Sequence, residues 1–158
     1  MIIDKEKFNL SEYVKYFRHK HSGKVRFDEV DMLGIVHNLK YFYWLEWARL
    51  EYLNDTGFTN NPENFILKNP MITVHNEIDY FSPAKFNDVY FIYSRISKIT
   101  KSSLTFDNLV VSDKDVLLAA AKSVLVNVNP VTGESIRITD ETRELIKNYE
   151  PYPIDITE

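Results

Sequence analysis

From Tyr41 to Asn54 the apolar residues recur at intervals of three and four, and Tyr41, Trp44, Leu45, Ala48 and Tyr52 share one helical face. Phe42, Tyr43, Trp47, Leu50 and Leu53 fill the other faces. The pattern therefore predicts a helix buried on nearly all sides, with Gly57 as its stop. Beyond it the period changes to two. Ile72, Val74, Ile78 and Tyr80 alternate with Thr73, His75, Glu77 and Asp79, a rhythm broken at Asn76. Val89 to Ile99, Leu104 to Val111 and Val116 to Val128 read as three further strands. They are separated by Thr100-Lys101-Ser102-Ser103 and Ser112-Asp113-Lys114-Asp115, which is turn chemistry. Residues Thr139 to Lys147 predict a short closing helix.

Upstream of the long helix, Val25 to Phe27 is a short strand candidate, followed by the acidic loop Asp28 to Gly34. Near the start, Leu10, Tyr13, Val14 and Phe17 share a helical face that Asn9 or Ser11 can cap. Arg18-His19-Lys20-His21 puts positive charge at the end of that segment, as suits a helix C-terminus. The expected organisation is an extension over residues 1–23, one domain over 24–150 and a tail over 151–158. One strand, one buried helix and four antiparallel strands describe an α+β hotdog fold, a curved sheet wrapped around a single central helix. A ferredoxin-like sheet would need a second full helix between strands, and Ile72 to Val128 contains none.

Composition removes most other chemistries. The chain has 158 residues, no cysteine and four glycines, Gly23, Gly34, Gly57 and Gly133. Thiolate nucleophiles, disulfides and cysteine metal sites are excluded. So are the glycine-rich dinucleotide and phosphate loops and the G-x-S-x-G elbow, which need glycines closer together. A formal net charge of −4 gives no overall pull toward nucleic acid or anionic membrane. The longest apolar run, Val116 to Ala121, is far too short to span a bilayer. No metal site, nucleic-acid partner or membrane insertion is expected, and the expected setting is the cytoplasm.

At Phe27-Asp28-Glu29-Val30-Asp31-Met32-Leu33-Gly34-Ile35-Val36-His37-Asn38-Leu39-Lys40-Tyr41 the chain resembles the signature of the 4-hydroxybenzoyl-CoA thioesterase family of hotdog proteins. The shared features are an Asp, a Gly three residues on, a hydrophobic pair, and a Tyr ten residues after the Asp. Glu46-Trp47-Ala48-Arg49 is similar to the Glu-x-Ala-Arg stretch of that family's helix, and Asp79 to Asp88 to its strand ending in Pro-Ala. The resemblance implies an acyl-CoA thioesterase that uses no cofactor, coenzyme A being part of the substrate. It also implies that Asp31 is nucleophile or general base and that the Asn38 backbone N–H is the oxyanion donor. Gly34 turns the backbone between them, and Tyr41 is expected at the substrate.

Each candidate has a plainer alternative. Asp31 could be a loop carboxylate, and Asp28 and Glu29 read as solvent or turn residues. His37 could orient Asp31 or the substrate, or be a structural group at the helix start. The family's histidine is displaced by one position here, where His37-Asn38 stand for Tyr-His, so a catalytic histidine does not carry over. Asn38 is a good helix cap by residue type. Glu46 is the rival carboxylate, or else the partner of Arg49 three residues on. Lys98, Lys101 and Ser102, with Ser103, are candidates for coenzyme A phosphates, or are an ordinary polar hairpin tip. The aromatic run from Tyr41 to Tyr52 lines an acyl pocket or simply packs the core.

The same residues leave other functions open. In an acyl-carrier-protein thioesterase, the basic cluster from Arg18 to Arg26 would be a docking patch. That cluster could instead be a nucleic-acid arm or a solvated helix end. A non-catalytic acyl-CoA-binding protein and a dehydratase are further readings, the last poorly served by His37 alone. For assembly, the alternation in Ile72 to Tyr80 predicts an open edge with a polar Thr73, His75 and Glu77 face. Two copies would pair there, and dimers would stack through the uncovered convex sheet face into a tetramer. The site at Asp31 would then meet the neighbour's Asn60-to-Pro70 segment.

Overall fold

A computed structural model describes residues 9–58 and 70–157; the 60–69 part of the segment expected to reach a neighbour lies outside the described residues. After a four-residue helix α1 (Leu10–Tyr13) come strand β1 (His19–Lys24) and the long helix α2 (Asn38–Asp55). Strands β2 (Met71–Tyr80), β3 (Val89–Ile99), β4 (Ser103–Ser112) and β5 (Leu117–Asn127) follow. Helix α3 (Asp140–Tyr149) and a two-residue strand β6 (Asp155–Ile156) close the chain. The main sheet runs β1-β3-β4-β5-β2, and all four of these neighbouring pairs are antiparallel. β3, β4 and β5 form the expected meander.

Helix α2 lies on the inner face of the sheet and joins two core clusters. Its N-terminal half, through Tyr41, Trp44, Leu45 and Ala48, packs with Tyr90, Ile92, Val110, Ala119 and Ala121. Its C-terminal end, through Tyr52 and Leu53, packs with Ile96, Ile99, Leu104 and Phe106. The sheet also carries two polar pairs, the first of them fully buried. Asn108 Nδ2 donates to Ser94 Oγ at 2.7 Å, and Ser123 Oγ donates to Asn76 Oδ1 at 2.7 Å. The helix ends as its glycine predicts: Gly57 has φ +83°, and the Phe58 N–H reaches back to the Leu53 carbonyl at 3.1 Å.

Five expectations change. The first strand is not Val25 to Phe27 but His19–Lys24, inside the segment set apart as an extension and expected to end a helix. Its inner face is His19, His21 and Gly23, paired with Ser94, Ile92 and Tyr90, so no apolar alternation announces it. The final residues contribute β6, which pairs in parallel with β3 at Lys98 and Ile99. A bulge between Thr73 and His75 sets Thr73 opposite Leu125 but His75 opposite Val124. Adjacent residues of β5 face opposite ways, so Thr73 does not share the face of His75 and Glu77.

Helix α2 is also not buried all round, since Leu39, Tyr43, Trp47 and Leu50 are exposed. The convex sheet face is not bare either. Phe17 packs there with Leu109, Val111 and Ala120, and Leu10, Tyr13 and Val14 lie against the same cluster. That cover explains why β4 and β5 are buried on both faces along Asn108–Val111 and Leu118–Ala121.

Candidate active site

The acidic loop is a closed structure. Val30 and Val36 form a bridge across it, and Ile35 bridges to Lys85. Inside, the Gly34 N–H donates to the Asp31 carbonyl at 2.9 Å, with Gly34 at φ +73°, a conformation costly for any residue bearing a Cβ. The Asp31 Oδ1 accepts the Leu33 N–H at 2.8 Å, which fixes the carboxylate; Oδ2 has no partner among the described residues. The loop therefore holds Asp31 while leaving one oxygen for chemistry.

His37 caps α2. Its Nδ1 accepts the Leu39 N–H at 3.2 Å, so the neutral ring carries its proton on Nε2. The cap expected of Asn38 thus belongs to His37, and Asn38 is the first helical residue. No acceptor among the described residues takes the Asn38 N–H, one of the unpaired amides at a helix start. The Asn38 carbonyl accepts the Tyr80 hydroxyl at 3.0 Å, tying the helix start to the end of β2.

These groups share one cavity of about 380 Å³. Asp31, His37, Asn38 and Tyr41 line it from the loop and helix, and Tyr80 and Pro83 from the end of β2. Tyr41 is buried, its ring edge-on to Tyr80 at 5.2 Å. Burial pushes its hydroxyl up to about 12, partly offset by the Ala84 backbone, so it stays protonated at neutral pH.

Other candidates lie elsewhere. Glu46 is on the exposed side of α2, outside the cavity, and its charge favours the ionised form of the buried Arg49 guanidinium, whose pKa burial lowers. Lys98, Lys101 and Ser102 sit by the β3–β4 turn, beside the cluster at the far end of α2. An 18-residue helix spans about 27 Å, so within one chain these residues do not reach Asp31. The Lys98 ammonium pairs with Asp155 at 3.0 Å, and Arg143 takes the Thr100 and Lys101 carbonyls. The basic cluster is locally engaged as well: Arg18 lies over the Tyr149 ring and Lys20 over the Phe91 ring.

Two residues escaped the sequence reading. Tyr80 looked like an ordinary strand residue, its signal being that it ends β2 three residues before Pro83. Glu29, expected in solvent, is 5% exposed and accepts the Trp44 indole N–H at 2.8 Å. Among the described residues no group of three or more His, Asp or Glu side chains is placed to hold a metal ion. No helix among them is long and apolar enough to cross a membrane.

Comparison with known proteins gives the class. The chain is 27% identical over 126 residues to a putative esterase of Aquifex aeolicus, covering 79% of this chain and 94% of that protein. It is 26% identical over 109 residues to the acyl-CoA thioester hydrolase YbgC of Escherichia coli O157:H7, covering 68% and 80%. A thioesterase of Thermus thermophilus, solved with coenzyme A and zinc, is 26% identical with a TM-score of 0.77, covering 89% of this chain and 99% of that one. A 1,4-dihydroxy-2-naphthoyl-CoA thioesterase of Synechocystis shares the fold at 17% identity, with a TM-score of 0.75 over 82% and 96% of the two chains. Fold and kinship together define a hotdog-fold thioester hydrolase. Residues 25–146 match the thioesterase-like superfamily, and the chain belongs to it.

Proposed function

We propose that the protein hydrolyses acyl-CoA thioesters in the Asp31 cavity. The observation that carries this reading is the convergence on one cavity of a fixed carboxylate and a helix N-terminus, each with one oxygen or N–H unpaired among the described residues. Asp31 either attacks the thioester carbonyl carbon or removes a proton from the water that attacks it. The carbonyl oxygen gains the negative charge and is held by the Asn38 N–H, where the helix dipole favours an anion. The C–S bond then breaks, and coenzyme A leaves as thiolate. In the first route a mixed anhydride on Asp31 is hydrolysed by water; in the second the acid forms directly.

The catalytic unit is a dimer joined along the open edge of β2. That strand ends the sheet order, and most of its residues are exposed, Ile72 and Val74 among them. The test of the chemistry is Asp31→Asn beside Glu46→Gln, assayed on a panel of aliphatic and aromatic acyl-CoA substrates. The first lowers kcat by at least about 100-fold with KM little changed, while the second stays within a few-fold of the parent. The reverse pattern would transfer the carboxylate role to Glu46.

A further inference from the structure

A second cavity, of about 440 Å³, opens where α2 meets the end of β1, and its lining shares no residue with that of the Asp31 cavity. Its floor is a constructed aromatic shelf. A Cβ on Gly23 would fall 2.3 Å from the Tyr90 ring, so that ring lies over the strand only because residue 23 is glycine. Tyr90 stacks on Trp44 with centroids 3.9 Å apart and planes 15° from parallel. Trp44 is fixed in turn by its bond to buried Glu29, whose Oε2 accepts the Arg26 N–H at 2.8 Å. The proposed hydrolysis uses neither Glu29 nor this shelf.

Tyr43 and Trp47, one helical turn apart, form the outer wall and are 64% and 63% exposed. Three cations from three segments surround the rings: Lys24 at the end of β1, Arg26 in the connection and Lys40 on α2. Lys24 has no carboxylate partner among the described residues. Arg26 and Lys40 are held loosely by the exposed Asp28, at 3.4 and 3.9 Å, and Arg26 stands 3.6 Å from Glu29. Three cations against two carboxylates leave one positive charge in excess.

Exposed rings offer a stacking surface that tolerates any planar partner, and converging cations recognise a phosphate. We propose that this cavity binds a planar aromatic ring carrying a phosphate, the chemistry of a nucleotide, at a site separate from the Asp31 cavity. The ring stacks against Tyr43 and Trp47, and the phosphate lies among Lys24, Arg26 and Lys40, displacing their contacts with Asp28. The occupant is either a free mononucleotide or the nucleotide end of coenzyme A, which share this chemistry.

The chain has two tryptophans, Trp44 and Trp47, and both line the cavity, so intrinsic fluorescence reports on it directly. The experiment titrates the full chain with AMP, adenosine and inorganic phosphate. AMP is expected to change the emission saturably and to bind at least about 10-fold more tightly than either fragment. Lys24→Glu is expected to weaken AMP at least about 5-fold while leaving adenosine unchanged. If saturating AMP raises the KM for acyl-CoA hydrolysis, the occupant is the nucleotide end of the substrate; if hydrolysis is indifferent to AMP, it is a free nucleotide, and the fluorescence test of the site stands apart from either result. No saturable change with AMP up to about 10 mM would overturn the site, as would equal binding of AMP and adenosine or indifference to Lys24→Glu. The readout does not depend on turnover, so failure here leaves the Asp31 assignment standing, and failure of Asp31→Asn leaves this one.

Discussion

At Asp31 and His37 the local bonds decide what each side chain can do. The Asp31 carboxylate is held by one backbone N–H through Oδ1, so its substitution by Asn keeps the turn and removes only the charge and basicity. That is why Asp31→Asn tests chemistry rather than folding. His37 is the reverse case, because its Nδ1 is spent on the helix cap. His37→Ala is expected to lose about 1 kcal/mol of stability in denaturant melts, the usual cost of a lost cap. His37→Asn restores a good capping residue, and is expected to recover both stability and turnover to within a few-fold. A loss of about 100-fold in kcat with the cap intact would instead make His37 a participant in the reaction.

Among the elements, β1 is fastened to α2 by polar pairs rather than by an apolar stripe, whereas α3 adds a buried carboxylate at its end to the packing of Ile146 with Tyr52 and Leu53. The His19 Nδ1 of β1 lies 3.1 Å from Asp55 Oδ2, edge-on to the Tyr52 ring, and His21 pairs with Glu51 at 2.7 Å. Burial lowers the His19 pKa from its usual 6.5 and outweighs the pull of Asp55. Its Nε2 is buried without a partner among the described residues, so protonating the ring would strand a donor. A histidine whose folded pKa is depressed is protonated first in the unfolded chain. Its contribution is therefore complete above about pH 6.5 and is lost as pH falls through that value toward the folded pKa. Thermal melts between about pH 7.5 and 5.5 should show wild type losing more stability than His19→Gln; parallel curves would remove His19 from the account.

At the end of α3, Glu150 Oε1 accepts both the Tyr52 hydroxyl at 2.5 Å and the Ile96 N–H at 2.8 Å. Burial raises its pKa, so its own contribution has the opposite sign and weakens as pH rises through the folded value. The His19 effect is for that reason read as a difference between variants. Glu150→Ala leaves two buried donors unpaired and is expected to cost about 1–3 kcal/mol at neutral pH. Glu150→Gln keeps an acceptor but sets an amide N–H where Oε2 is buried with no partner among the described residues, and is expected to fall between the parent and the Ala variant. A Gln variant as unstable as the Ala variant would mean that the charge, not the acceptor, matters.

At the scale of the whole molecule, both faces of the sheet carry cover, and β1 and β2 are its two edge strands. The N-terminal segment covers the outer face over β4 and β5, which removes part of the surface expected to stack dimers. The β2 edge has β5 on one side, and no strand among the described residues lies on the other. Open backbone donors along ten residues favour pairing with a second copy, and a two-fold axis is the simplest closure. Light scattering at micromolar concentration should therefore give at least twice the 18.6 kDa chain mass. A stable, active monomer would sink the shared-edge arrangement.

Most of this architecture was legible from residue order alone. Helix α2 and strands β2 to β5 were, because each buries a repeating apolar face and so leaves a period of 3.6 or two in the sequence. The loop from Asp31 to Gly34 was legible as a family signature, and Gly57 as a helix stop. Strand β1 left no such trace, since His19 and His21 face carboxylates instead of a core. Glu29 was misread for the same reason: nothing in its neighbourhood announces an indole fifteen positions away. Only the tertiary structure could separate Lys98 and Lys101 from Asp31, because their distance is set by which end of α2 each strand meets. It alone joins His19 to Asp55 and Tyr52 to Glu150, across 36 and 98 positions. Periodic burial is written locally in a chain, whereas a polar pair depends on two distant segments being brought into register by the rest of the fold.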